Sequence, residues 1–532
     1  MQKFFINNWQ LLGILLVYLF VALYKLDTIP GEIWGDAIFH YNLVEKIRHG
    51  NFFYDYEFGG DGPIFTYLAT AVSFVIPLSF YSLKITAVII GFFFVLSMYF
   101  LAKAFFREKA VALTTMFVSA VSFWTIDFVR QPHARILVPL FIAMTLIYTL
   151  KKKNVFAGIL LGLGMYTQAS FWGMTFTYWR NWKTLLIGAI VTIPLAYAFF
   201  HNPVSFFSKQ SYFGEKLAVH TPLSQAFYAI GYNIQANLLS FNVKGDSIFR
   251  MNIPYHPHLD ILSGILFILG FLLIFFQSLP DSFKSKIDKF FGFIRAPFKK
   301  NKIMRVETEK NFSYRSDKHI FLLYFILPFF FIQVPSFLDI HNYFSQPNIS
   351  RMIGVIPFVY LSVAYCIVRL NRALTQKVTN KSVRIYVPFF IYCVLFLAIF
   401  LLNFYNYFIV YPRTLPNGNT PYGKLIANTI DNTTPQTDAV IIGAGWGQFA
   451  QPEVAGIPMV QKTIHPEQFF QTAEQAKQIL CQEKQPGKPF LIASDPAFQI
   501  QLQATSLCLK QAKSYMLTSN GLNVAYIIEG IQ

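Results

Sequence analysis

Apolar runs of about 20 residues recur along the first 410 positions of this 532-residue chain. That is the length a bilayer's hydrocarbon core demands of a helix. Composition agrees. Hydrophobic residues make up 54% of the chain, Phe alone contributes 60, and charged residues only 13%, whereas a soluble globule is nearer about a quarter charged. Disordered and fibrous classes are excluded for the same reason. What remains is an all-α polytopic membrane protein.

The formal net charge is +18, and its placement argues against nucleic-acid binding. Lys3 and the stretches 103–109, 151–153, 180–183, 278–318 and 371–384 hold 24 Lys/Arg against six acids, so they carry the whole excess. The rest of residues 1–410 has 12 basic and 12 acidic residues, and 411–532 has eight of each. Basic loops between apolar spans are the positive-inside signature. No nucleic-acid partner is expected.

With Lys3 inside, the first run reads as an uncleaved span over 9–26, too long for a signal-peptide core. Three apolar runs follow at 64–81, 83–102 and 110–127. If all three crossed, the clusters at 103–109 and 151–154 would face outward. Laying 64–81 along the outer membrane face brings every basic cluster inside; Gly62-Pro63 starts it and Pro77 interrupts it. About eleven spans result: 9–26, 83–102, 110–127, 135–150, 155–167, 168–180, 184–200, 259–277, 319–335, 351–370 and 385–410. The fifth and sixth are short enough for a shallow hairpin. The segments 27–82, 128–134, 201–258, 336–350 and everything after 410 are then outside. The basic 278–318 loop lies inside, where anionic lipid attracts it.

The tail, 411–532, changes character. Pro and Gly mark its start, TPYGKLIANTIDN looks helical, and DAVIIG, KPFLIAS and NVAYIIEG look like short buried strands. Helical stretches are expected around 466–481 and 496–511. Residues 411–532 are therefore expected to form a small extracytoplasmic α/β domain beside the membrane domain 1–410. Cys481 and Cys508 lie in this tail and pair if it is exported; Cys366 and Cys393 lie in apolar spans and read as core filler. GAGWG (443–447) follows a strand, but without G-x-G-x-x-G it reads as a turn.

In the first outer loop, Asp36 follows Trp34-Gly35 and opens a stretch of helical periodicity. It reads equally as an N-cap. Set near the membrane surface among Trp34, Phe39 and Tyr41, its carboxylate would have a raised proton affinity, which suits a general base. Asp61 leads into the surface segment and otherwise reads as a turn residue.

Trp34-x-Asp36, Tyr41 and Lys46-Ile47, an acid-rich turn, then Gly62-Pro63-Ile64 and Tyr67-Leu68 together resemble the first outer loop of the GT-C superfamily of membrane glycosyltransferases. The similar members are protein O-mannosyltransferases, the lipid A aminoarabinose transferase and oligosaccharyltransferase catalytic subunits. Four further stretches resemble family loops and helix starts in the same order: 130–139, 158–170, 245–270 and 346–357. Each motif is loose; their order over most of 1–410 is the specific part. The resemblance implies a polyprenyl-phosphate sugar donor at the outer membrane face, with Asp36 as the catalytic acid residue. It departs from some relatives in having Asp36-Ala37 where they carry two acids. The oligosaccharyltransferase D-x-D of the second loop is missing; only Asp127 lies near. A divalent metal cofactor is therefore not supported.

Transfer from a lipid phosphate leaves an anion, which calls for cations at the membrane surface. The outward arginines are Arg48, Arg130, Arg135, Arg250 and Arg351. Arg clamps phosphate bidentately, but also snorkels as an interface anchor. Arg130, Arg135, Arg250 and Arg351, with Asp61, are the candidate substrate-binding residues. His256 and His258 read as solvated loop histidines, and Asp246 and Asp260 as turn or cap residues. The expected activity is an inverting hexosyl- or pentosyltransferase of a bacterial plasma membrane, acting on a protein, lipid or glycan acceptor. Two rivals stay open. A transporter would need ionisable residues along a path through the spans, and those between 83 and 410 hold few, mostly at their ends. A non-catalytic scaffold would work through its tail alone.

Overall fold

The computed structural model describes residues 9–31, 35–53, 61–201, 222–279, 317–340, 346–376, 378, 380–415, 418–442, 454–461, 467–470, 472–482, 487–503, 508–519 and 521–531. Among them six helices are long and apolar enough to cross a membrane: Phe80–Phe106, Trp182–His201, Ile261–Ser278, His319–Phe337, Ile353–Gln376 and Tyr386–Thr414. Lys109–Val121 and Phe123–Arg130, bent by 55°, make a seventh if counted as one span. The chain is a multi-pass membrane protein. The count of eleven is not confirmed. Trp9–Leu23, Ile64–Ser73, Ala134–Leu150 and Asn154–Gly164 are apolar but shorter; the last, with 11 residues, is only about 16 Å long. The expected span 168–180 is a ten-residue 3-10 helix, Ala169–Tyr178.

Helix bends and ends have side-chain causes. At the break between Val121 and Phe123 the freed Phe123 N–H donates to Asn403 Oδ1 (2.7 Å). Asn403 in turn donates to Asp260 Oδ2 (2.8 Å), and Asp260 caps Ile261–Ser278 by accepting from Ser263 N (2.9 Å). Ile64–Ser73 is ten residues long, and Ser79 starts the next helix through a reciprocal pair with Ser82. Small residues allow close helix contact: a Cβ on Gly158 or Gly162 would lie 2.6 Å from Ile187 Cβ or 2.5 Å from Val191 Cβ.

The tail builds one five-stranded sheet of order β2-β1-β3-β5-β4, with β1 Asp438–Ile442, β2 Glu467–Phe470, β3 Pro489–Ser494, β4 Lys510–Ser519 and β5 Leu522–Ile531. β1 pairs in parallel with β2 and β3; β5 pairs antiparallel with β3 and β4. One face packs on helix Tyr422–Asp431 through Ile426, Ala427 and Ile430. The other packs on Ala473, Ala476 and Leu502. The three expected strands are β1, β3 and β5. Two helical expectations need correction: 466–481 includes strand β2 before helix Ala473–Gln482, and 496–511, helical over Pro496–Phe498 and Gln499–Gln503, ends in β4, which begins at Lys510. β4 is an exposed edge strand, so it lacks the apolar pattern of a buried one. Cys481 and Cys508 form a disulfide that ties the end of helix Ala473–Gln482 to the start of β4. The GAGWG turn and positions 280–316 of the basic loop lie outside the described residues.

Candidate active site

The segment leaving the first helix is fixed by its own carbonyls. Arg130, fully buried, donates to Val21 O (3.0 Å), Ala22 O (2.9 Å), Lys25 O (2.8 Å) and Ile29 O (3.0 Å). It also lies over the rings of Tyr407 and Phe408, 5.2 and 5.1 Å from their centroids. Lys84, equally buried, donates to Leu26 O (2.8 Å) and Pro30 O (2.6 Å). Helix C-termini leave such carbonyls without intrahelical donors, and a cation there also meets the negative end of the helix dipole. Arg130 is thus turned onto the carbonyls at and beyond the end of the first helix, which it caps.

Asp36 is the second residue of helix Gly35–Arg48. Four residues on in the same helix comes His40, which is buried. Its Nδ1 faces Thr66 Oγ1 (3.3 Å) and its ring stacks at a tilt on Phe65 (4.8 Å). Its Nε2 lies 3.7 Å from Asp61 Oδ2, both side chains being 2% exposed. Asp61 also pairs as a β-bridge with Gln168, and Gly62 N donates to Thr167 O (2.7 Å). Asp61 is therefore brought against His40, on the helix that also carries Asp36. Gln168 enters the site through this bridge, whereas Tyr166 donates to Val191 O (3.0 Å) and serves packing.

Arg135 and Arg250 belong to two loops that pack on each other. Gln131 Nε2 donates to Asp127 Oδ1 (2.7 Å) and to the Arg250 carbonyl, which also accepts from Tyr411 Oη (2.8 Å). Arg135 Nη1 reaches Met251 Sδ (3.7 Å). Asp246 accepts from Ile248 N (2.8 Å) and Ile349 N (2.9 Å), fastening this loop to the one carrying Arg351; burial nevertheless raises its carboxyl to about 7. Burial pushes His258 down to about 3, so the ring is neutral and its Nε2 accepts the Asp246 N–H (3.2 Å). His258 is thus a buried loop tie, not a solvated histidine.

Arg351 is hydrogen-bonded to Asp339. The arginine side chain is 24% exposed and the aspartate 0%, so the pair presents its cationic side outward. Gln346 Nε2 donates to the same Asp339 oxygen (3.1 Å) and Ser336 Oγ donates to Gln346 Oε1 (2.8 Å). Among the described residues no three His, Cys, Asp or Glu side chains gather into a metal-holding group. His40, Lys84 and Asp339 were not anticipated from the sequence; only His40, four residues beyond Asp36, carried a local signal.

No protein-family model matches the chain, and no curated protein matches it. Among solved structures, ArnT from Cupriavidus metallidurans bound to undecaprenyl phosphate is similar over 97% of both chains, at 10% identity and a TM-score of 0.50. The apo state of that enzyme is similar over 97% of this chain and 98% of its own, with the same identity and score. The archaeal oligosaccharyltransferase AglB from Archaeoglobus fulgidus, in complex with an inhibitory peptide and a dolichol-phosphate, covers 98% of this chain, with 74% of its own length matched, at 13% identity and a TM-score of 0.47. At these identities the likeness is one of fold, and the chain has the fold of the aminoarabinose transferase ArnT, a GT-C glycosyltransferase.

Proposed function

We propose that the chain is a membrane glycosyltransferase that moves a sugar from a polyprenyl-phosphate donor to an acceptor at the extracytoplasmic face. The observation that carries this reading is the whole-chain fold match to ArnT, solved with undecaprenyl phosphate bound. The match runs through a chain whose first loop carries Asp36 on a helix that sets a buried histidine against Asp61. In the proposed reaction the Asp36 carboxylate takes the proton of the acceptor hydroxyl as its oxygen attacks the sugar C1. The bond from C1 to the phosphate oxygen breaks, the lipid phosphate leaves as an anion, and the configuration at C1 inverts. Arg351 and the pair Arg135 and Arg250 supply the positive charge for that anion.

Arg351 is the cation tested most simply. Its Asp339 partner holds the guanidinium in place, and the donor phosphate competes for its exposed side. Losing one charged hydrogen bond costs about 1.5–3 kcal/mol. Arg351→Ala is therefore expected to weaken undecaprenyl phosphate binding to the purified protein by roughly 10- to 150-fold. Unchanged affinity would leave Arg351 as the partner of Asp339 alone.

Two observations support this side of the membrane: the basic loops that gather on one side under the charge rule, and the Cys481–Cys508 disulfide, a bond kept in oxidising compartments. Single cysteines placed at Lys286 and at exposed Asn428 are expected to react with a membrane-impermeant maleimide from opposite faces. Labelling from the same face would overturn this arrangement.

A further inference from the structure

We propose that the C-terminal sheet domain is a working part of the reaction centre, because it holds the segment carrying Asp36 at both ends. The inference rests on the reading of Asp36 as the base.

The first hold is Asn419. Its side-chain Oδ1 accepts from Gly31 N (2.7 Å) and its Nδ2 donates to Thr28 O (2.7 Å), across a sequence separation of nearly 400 residues. Both ends of one amide are spent on the loop that leads to Asp36. Asn419 stands in the left-handed region (φ 66°), directly after Gly418 (φ 63°), a conformation that Asn tolerates better than most residues. The approach is close. A Cβ on Gly31 would lie 3.0 Å from the Asn419 carbonyl oxygen and 3.1 Å from that of Thr28.

The second hold lies just beyond Asp36. Met459 packs with Ala37, Ile38 and Phe80 in one buried cluster, flanked by Tyr41 and Val460. The turn Val454–Met459 belongs firmly to the sheet domain, since Ile457 is buried with Tyr422, Ile426 and Ile441. The same domain therefore contacts the chain at Thr28 and Gly31, before Asp36 in sequence, and at Ala37 and Ile38, directly after it. The carbonyls of Lys25, Leu26, Ile29 and Pro30 are taken by Arg130 and Lys84, and Asn419 adds to this fastening at Thr28 and Gly31. A misplacement of about 1 Å at a reacting group can cost on the order of 100-fold in rate. Asn419 and Met459 are thus positioning residues for Asp36.

Asn419→Gly isolates the side chain, because Gly adopts the left-handed backbone without strain while both hydrogen bonds are lost. The experiment uses the full chain in detergent or nanodiscs. Three quantities are read: amide hydrogen exchange over 35–48, undecaprenyl phosphate binding, and kcat against KM for transfer from undecaprenyl-phosphate sugars. The expected result is faster exchange over 35–48, unchanged lipid binding, and a kcat lower by about 10- to 100-fold with KM for the donor little altered. Met459→Ala is expected to act in the same direction. Exchange and kcat both at wild-type values in the two variants would overturn the proposal, as would a purely KM effect. If the wild-type chain transfers no sugar from any such donor, the glycosyltransferase reading fails and the catalytic half of the proposal with it. The exchange comparison still decides whether the domain holds the helix.

Discussion

Asp36→Asn is expected to reduce sugar transfer by at least roughly 10²–10⁴-fold, the contribution of general acid–base catalysis, with little change in stability. Asn keeps the shape of the side chain and can accept a hydrogen bond, but it cannot take a proton. The comparison is informative because Asp36 lies in the first turn of helix Gly35–Arg48, where an acid also favours the helix through its dipole. A residue serving only to start the helix is replaced well by Asn, and turnover would then stay near normal. Turnover per folded molecule, with folding followed by thermal unfolding in detergent, separates the two roles.

Arg130→Met is expected to act the other way round, on stability first. Four carbonyl oxygens lose their charged donor, in a site where Arg130 is fully buried. Each buried acceptor left unsatisfied costs about 1–3 kcal/mol. The effects are not additive, because the four share one guanidinium, but a loss of at least about 3 kcal/mol is expected. Arg130→Lys should restore only part of it, since a single ammonium cannot serve four acceptors in a fixed fork. The measurement is the unfolding temperature together with undecaprenyl phosphate affinity of whatever folds. Normal stability with lost affinity would return Arg130 to the role of phosphate ligand.

The fate of Arg130 shows what sequence can and cannot convey. An arginine at the end of an apolar run is visible, and so is the need for cations near a lipid phosphate. Its acceptors, however, lie more than 100 residues away, and nothing local marks a backbone carbonyl as needing a donor. Arg351 carries the same lesson in milder form: the cation was legible, its Asp339 counter-ion was not. Asp36 and Asp61 were readable one by one, but the histidine that faces Asp61 enters only because Ile64–Ser73 packs beside helix Gly35–Arg48. Asn419 carried no signal at all beyond its Gly-Asn turn.

The architecture was more legible, because burial imposes periodicity. β1 is buried at every position and after Asp438 reads as a continuous apolar run, as a parallel strand covered on both faces should. β4 is exposed along most of its length, so only Asn520-Gly521 marked the hairpin that joins it to β5. Span number was harder to read. Apolar character persists through Asn154–Gly164 and Ala169–Tyr178, where hydropathy alone does not separate a crossing helix from a short buried one.

A polyprenyl-phosphate sugar is the proposed donor. The most direct measurement incubates the purified wild-type chain with a panel of undecaprenyl-phosphate-linked hexoses and pentoses, with a membrane extract as the source of acceptor. Release of undecaprenyl phosphate is followed by mass spectrometry. Release is expected from at least one donor, dependent on the extract and lost in Asp36→Asn. No release above the protein-free control from any donor, or equal release by Asp36→Asn, would contradict it.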